Sequence, residues 1–128
     1  EEYKRNYDKI DINYNIEDNL FVNFDHSYLD IIFNNLFKNS IEALETTNNP
    51  AIDITLKKTD KMLILTFFDN GPGYDGDIDD LIKPYFSTKN SSGLGLSLIN
   101  KIITDNSYKM NITTNSYSGF KIEIIFYD

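Results

Sequence analysis

Residues 61–69, KMLILTFFD, are almost continuously apolar and then stop on a carboxylate, and this run constrains the chain more than any other. A short run of that kind, rich in β-branched and aromatic residues, fits a central strand covered on both faces. The stretch before it, AIDITLKK (51–58), makes the pair read as a hairpin joined through Thr59 and Asp60. Beginning at the terminal carboxylate, DNGPGYDGDIDD (69–80) holds three glycines and five aspartates, so the strand must end in a tight, acidic loop.

The remaining elements arrange themselves around that hairpin. IDINYNI (10–16) and LFVNFD (20–25) alternate as strands do. Ser27-x-x-Asp30 has the form of a capping box. Beyond it Leu29, Ile32, Phe33, Leu36, Ser40, Ala43 and Leu44 follow the three-and-four spacing of a helix face. A helix is therefore expected over about 27–46, stopped by Asn48, Asn49 and Pro50. One helical turn is expected around Asp79–Lys83. A second helix starts near Gly93, with Leu94, Leu98, Ile99, Ile102 and Ile103 as its buried stripe. MNITTN (110–115) and FKIEIIFY (120–127) close the domain as paired strands around the turn Ser116–Gly119. This order implies an α+β fold over 1–128, a two-layer sandwich whose mixed, mostly antiparallel sheet carries helices on one face.

Composition removes several function classes. A formal net charge of −8 argues against a nucleic-acid binder, which needs a basic face. No apolar run approaches the roughly 20 residues of a membrane span, and EEYKRNYDKI is no signal peptide. With no cysteine and one histidine, disulfides, thiolate zinc and multi-histidine metal sites are excluded. A cytoplasmic domain without direct membrane contact is the expectation.

The acidic loop resembles three known motifs and satisfies none. GPGYDG (71–76) has the G-x-G-x-x-G spacing of a dinucleotide fingerprint, but Asp77, Asp79 and Asp80 come next, where a pyrophosphate would need a helix N-terminus. The protein-kinase glycine loop shares the spacing, yet H-R-D and D-F-G are missing. An EF-hand beginning at Asp75 would put Asp80 in place of its glycine and Phe86 in place of its glutamate. What survives is Asp69 at a strand end, followed by Gly71 and Gly73. A carboxylate there accepts hydrogen bonds only, which suits an adenine amine and rejects a guanine carbonyl. Glycines let a base approach the backbone. A plain tight turn after a strand explains the same residues.

Three other stretches raise similar choices. In NNLFKNSIEAL (34–44), Asn35, Asn39 and Glu42 fall on one helix stripe opposite the apolar one. Asparagine is a poor helix former, and a carboxamide oxygen can ligate Mg²⁺ without adding charge beside a triphosphate. A solvated polar face is the bland alternative. In SSGLGLSL (91–98), two glycines at a helix start expose N–H groups at the positive end of the helix dipole, a phosphate cradle or merely a flexible loop. KPYFSTK (83–89) offers Lys89, Thr88 and Ser87 to a phosphate, or an aromatic anchor flanked by surface polar groups.

In this order, the four stretches resemble the Bergerat-fold ATP-binding domains of gyrases, heat-shock chaperones, mismatch-repair proteins and histidine kinases. NNLFKNSIEAL is similar to the N box, DNGPG to the G1 box, KPYFSTK to the F box and SSGLGLSL to the G2 box. The resemblance runs from about Asn23 to Phe126. It implies ATP and Mg²⁺ as cofactors. Asn39 would ligate Mg²⁺ with Asn35 assisting, Asp69 would read the adenine amine, and Gly71 and Gly73 would shape the base pocket. Lys89 and the Gly93–Gly95 backbone would hold the phosphates. Tyr74, Phe86, Ser87, Thr88, Leu94 and Leu96 would also line the nucleotide site, with residues 74–92 as a lid.

Within such families the residue one turn before the ligating asparagine separates chemistries. Hydrolysing members carry a glutamate as general base; this chain has Asn35, an amide that takes no proton at neutral pH. That favours the sensor histidine kinase branch, and YFSTK with GLGL resembles its nitrogen-regulation type. The implied partners are a histidine-bearing dimerisation domain of the same longer protein and a response regulator. Alternatives are a degenerate nucleotide-binding module that acts by docking, and an ATPase. Three departures from the pattern stand out. Glu42 occupies a position often cationic, Ser107 and Tyr108 replace a glycine pair after the last helix, and Phe120 comes after Gly119 where a threonine is usual. His26, in F-D-H-S-Y, lacks the context of a phosphoacceptor and reads as a surface or capping residue.

Overall fold

A computed structural model of the protein describes residues 9–84, 95–115 and 119–127. In chain order the elements are β1 (Asp11–Ile16), α1 (His26–Ala43), β2 (Ala51–Thr59), β3 (Met62–Asp69), α2 (Ile78–Leu81), α3 (Gly95–Asp105), β4 (Lys109–Thr114) and β5 (Phe120–Tyr127). The strands form one five-stranded sheet in the order β1-β2-β3-β5-β4. β1 runs parallel to β2, and every other pair is antiparallel. The expected α+β sandwich with a mixed, mostly antiparallel sheet is therefore present.

One face of the sheet carries the core. Ile52 and Ile54, then Leu63, Leu65 and Phe67, then Ile122, Ile124 and Phe126 point to it on alternate positions of β2, β3 and β5. Ile32 and Leu36 of α1 and Ile99, Ile102 and Ile103 of α3 meet them there. The intervening residues of β3, Ile64, Thr66 and Phe68, are only half-buried. The near-continuous apolar run of β3 thus does not mean cover on both faces. In an antiparallel sheet backed by helices on one side, the second face stays partly solvated, and apolar residues are tolerated on it.

Two further expectations change at the backbone. Residues 20–25 alternate as written, with Leu20, Val22 and Phe24 packed on the core and Phe21 90% exposed, but they join no ladder. A period of two records an extended chain and does not require a hydrogen-bonded neighbour. Phe24 lies 5.5 Å from the Phe126 ring and 5.8 Å from Tyr108, so side-chain packing holds the segment down. Helix α1 is capped by Asp25 and not by a Ser27–Asp30 box. The Ser27 backbone N–H and hydroxyl donate to Asp25 Oδ1 at 2.8 and 2.7 Å. Both bonds favour the ionised carboxyl and hold its pKa below the usual range. His26 is the first helical residue and is exposed, as expected of a surface position.

At the end of α3, Ser107 sits at φ 63° and the Tyr108 N–H donates to the Ile103 carbonyl at 3.0 Å. That is the left-handed, six-to-one closure in which glycine is favoured. No helix among the described residues is long and apolar enough to cross a membrane.

Candidate nucleotide site

The C-terminal half of α1 gathers the site. Asn35 and Asn39 stand one turn apart and half-buried, while Ser40, beside Asn39, is 3% exposed. The start of α3 lies directly on this turn. A Cβ added to Gly95 would come 3.0 Å from Asn35 Oδ1 and 3.6 Å from both amide atoms of Asn39. A larger residue would press on the asparagines, which gives this helical glycine its physical reason. The Asn35 Nδ2 donates to the Ile31 carbonyl of the preceding turn at 2.7 Å. Its other amide atom, Oδ1, is thereby the one nearest α3.

On the other side of Ser40 lies Asp69, the last residue of β3, 4% exposed. Its Oδ2 accepts from the Ser40 hydroxyl at 2.9 Å, and its Oδ1 accepts from the Gly71 N–H at 3.0 Å. Loss of water pushes the carboxyl pKa above the usual range, and these two bonds oppose the rise. Each oxygen keeps a lone pair, so the group can still accept from a ligand. Asn70 anchors the same corner: it accepts from the Ala51 N–H at 2.7 Å and donates to the Asn49 carbonyl at 3.0 Å.

Gly73 and Tyr74 answer to a different neighbour. Gly73 has φ 73°, and a Cβ there would collide with the Asn115 carbonyl oxygen and lie 3.0 Å from Thr114 Oγ1. The Tyr74 N–H donates to that hydroxyl at 2.9 Å, and the hydroxyl donates to the Gly119 carbonyl at 2.7 Å. These residues tie the loop after β3 to the β4–β5 turn. Leu96 is half-buried against the core. Phe86, Ser87, Thr88, Lys89, Gly93 and Leu94, with residues 85–92 of the expected lid, lie outside the described residues.

Three sequence-separated groups are therefore contiguous: Asp69 touches Ser40, Asn39 is next in the helix, and Gly95 lies on Asn39 and Asn35. Ser40 and Thr114 are the residues that sequence reasoning missed. For Ser40 a signal existed, a hydroxyl on the otherwise apolar stripe between Leu36 and Leu44. Thr114 carried none, because the Tyr74 N–H that it accepts from lies 40 positions away.

The donor set suits a magnesium nucleotide. A buried acceptor with capacity to spare matches an amine, and one or two amide oxygens match a cation that keeps waters and phosphates as its other ligands. No cluster of three or more carboxylates or histidines able to cage a metal occurs among the described residues.

The family described as histidine kinase-, DNA gyrase B- and HSP90-like ATPase matches residues 24–127. The chain is 37% identical over 108 residues to the sensory histidine kinase/phosphatase NtrB of Rhizobium leguminosarum bv. phaseoli, covering 71% of this chain and 28% of that protein. To sporulation kinase C of Bacillus subtilis (strain 168) it is 26% identical over 118 residues, covering 91% of this chain and 27% of the relative. The chain thus spans little more than a quarter of either relative. Among solved structures, the nucleotide-free catalytic domain of histidine kinase ThkA superposes with a TM-score of 0.82 at 28% identity, over 98% of this chain and 84% of that one.

Proposed function

The chain belongs to the family of histidine kinase-, DNA gyrase B- and HSP90-like ATPases, and from that premise we propose that it binds Mg-ATP and donates the γ-phosphate to a histidine. That histidine would sit on a dimerisation domain elsewhere in a longer sensor kinase, and a response regulator would take the phosphate onward. The observation that carries the reading is the meeting of Asn35, Asn39, Gly95 and the Ser40–Asp69 pair on one end of α1.

In this reading Asp69 accepts the exocyclic amine of adenine, and Gly71 keeps the carboxylate turned toward it. Asn39 would ligate Mg²⁺, with Asn35 beside it. Lys89 and the Gly93–Gly95 backbone would hold the phosphates. Mg-ATP supplies the transferable phosphoryl group together with the cation that offsets its charge. The protein's own work is then mostly positioning, as is general for phosphoryl transfer.

Asn35 supports transfer over hydrolysis. An amide has no basic site at neutral pH, and its nitrogen already donates to the Ile31 carbonyl. An acceptor imidazole is itself a nucleophile and needs less activation than water.

Calorimetric titration with ATP, with and without Mg²⁺, is the first test; Mg²⁺-dependent binding is expected, and its absence ends the proposal. With the acceptor domain supplied, labelled phosphohistidine is expected. Binding without transfer would point instead to a regulatory module. Steady phosphate release, lost in Asn39→Ala, would point to an ATPase.

A further inference from the structure

Ser40 is a helix residue that the family resemblance leaves without a role, and its hydroxyl is committed to Asp69. A serine hydroxyl has one proton, which goes to Asp69 Oδ2 at 2.9 Å; the Gly71 N–H goes to Oδ1 at 3.0 Å. Both donors nearest the carboxylate are therefore spent on it. What remains on Ser40 and Asp69 is lone pairs only.

From this arrangement we infer that Ser40 is a positioning residue for purine selectivity, holding Asp69 as a fixed, acceptor-only group that admits a 6-amino purine and refuses a 6-oxo purine. The inference rests on the nucleotide-binding reading above and adds the residue that enforces base choice. Its logic is the cost of unpaired groups: a 6-oxo purine would bring a third acceptor to a pair that has no proton left to give.

Among the described residues, the surroundings leave that task to Ser40. α1 brings Ser40 to Asp69 and Ala43 to the adjoining Gly71, β2 brings Ile52 beside Asp69, β5 brings Phe120, and the loop brings Gly71. None of these carries a charge, and burial and the two hydrogen bonds are the causes acting on the titration of Asp69. Without the Ser40 hydroxyl, burial would face only one opposing bond. Asp69 would then take a proton more readily, and a protonated carboxyl can donate to a 6-oxo group.

The test compares binding of Mg-ATP and Mg-ITP across pH for wild type, Ser40→Ala and Ser40→Thr. In Ser40→Ala, ATP affinity should fall about tenfold, the value for one hydrogen bond to a charged group. The ATP-to-ITP ratio should shrink, and the acid limb of ATP binding should move to higher pH. Ser40→Thr, which keeps the hydroxyl, should restore both. A carbon-detected NMR titration of Asp69 in the nucleotide-free protein should report the same upward displacement in Ser40→Ala. An unchanged ratio and an unmoved acid limb in Ser40→Ala, with wild type binding ATP, would overturn the inference and leave the function standing. Wild type that binds neither nucleotide would overturn both.

Discussion

At one end of β3, Asp69 lies 4% exposed with a donor on each oxygen; at the other, past Leu63, three rings close over the sheet. Phe24, Tyr108 and Phe126 meet with centroids 5.1–5.8 Å apart, in tilted or edge-on arrangements. The aromatic end gains stability by taking carbon out of water and asks nothing of charge. The Asp69 end does the reverse. It takes a carboxylate out of water and offsets part of the penalty with two hydrogen bonds, so it adds little to stability while presenting a poised acceptor. One end holds the fold together, and the other is held by it.

Phe126→Ala should separate the two most sharply. Truncation at a buried ring costs about 3–5 kcal/mol, read by denaturant melts. If the domain still folds, its ATP affinity should hardly change. A large loss of affinity at retained stability would break the comparison.

Asp69→Asn should do the opposite. ATP affinity should fall by about 1–3 kcal/mol, the scale for a hydrogen bond to a charged acceptor, while unliganded stability moves by less than about 1 kcal/mol. An unchanged dissociation constant would remove Asp69 from the base pocket.

Titration sharpens the contrast further. Burial raises the folded pKa of Asp69 above its unfolded value. Its contribution to unliganded stability is therefore present at low pH and is lost as pH rises through the raised pKa. In the proposed reading ATP binding needs the ionised form and runs the other way, weakening as pH falls through that raised pKa. The thermal shift produced by ATP should shrink there in wild type and not in Asp69→Asn.

The smallest effect belongs to neither end. Ser107 holds φ 63° without a glycine's freedom. Ser107→Gly should stabilise the domain by roughly 0.5–1 kcal/mol, a rise of a few degrees in Tm, with ATP affinity unaltered.

Much of this is legible in the sequence. The three-and-four spacing from Leu29 to Leu44 locates α1, and the Met62–Asp69 run locates β3 and the residue at its end. Asn35, Asn39, Asp69 and Gly95 are each ambiguous alone and stand out through their order and spacing along the chain. The strand expected at 20–25 fails because alternation is a property of extended chain alone, and the capping expectation fails because Asp25, two residues before Ser27, competes better for its N–H. Ser40 reads as one more member of the apolar stripe, since nothing local tells a buried hydroxyl where its acceptor is.

What the sequence by itself determined is periodic and local: which segments coil, which extend, and which chemical groups they carry. These follow from the fixed repeats of the backbone, which neighbouring residues alone can satisfy. What only the tertiary structure decided is which distant groups touch, such as Ser40 with Asp69 across 29 positions, or Gly95 with the two asparagines. Contacts of that kind depend on how far α1 and α3 stand from the sheet. That spacing is set jointly by all the core side chains between them, and no single stretch of sequence contains it.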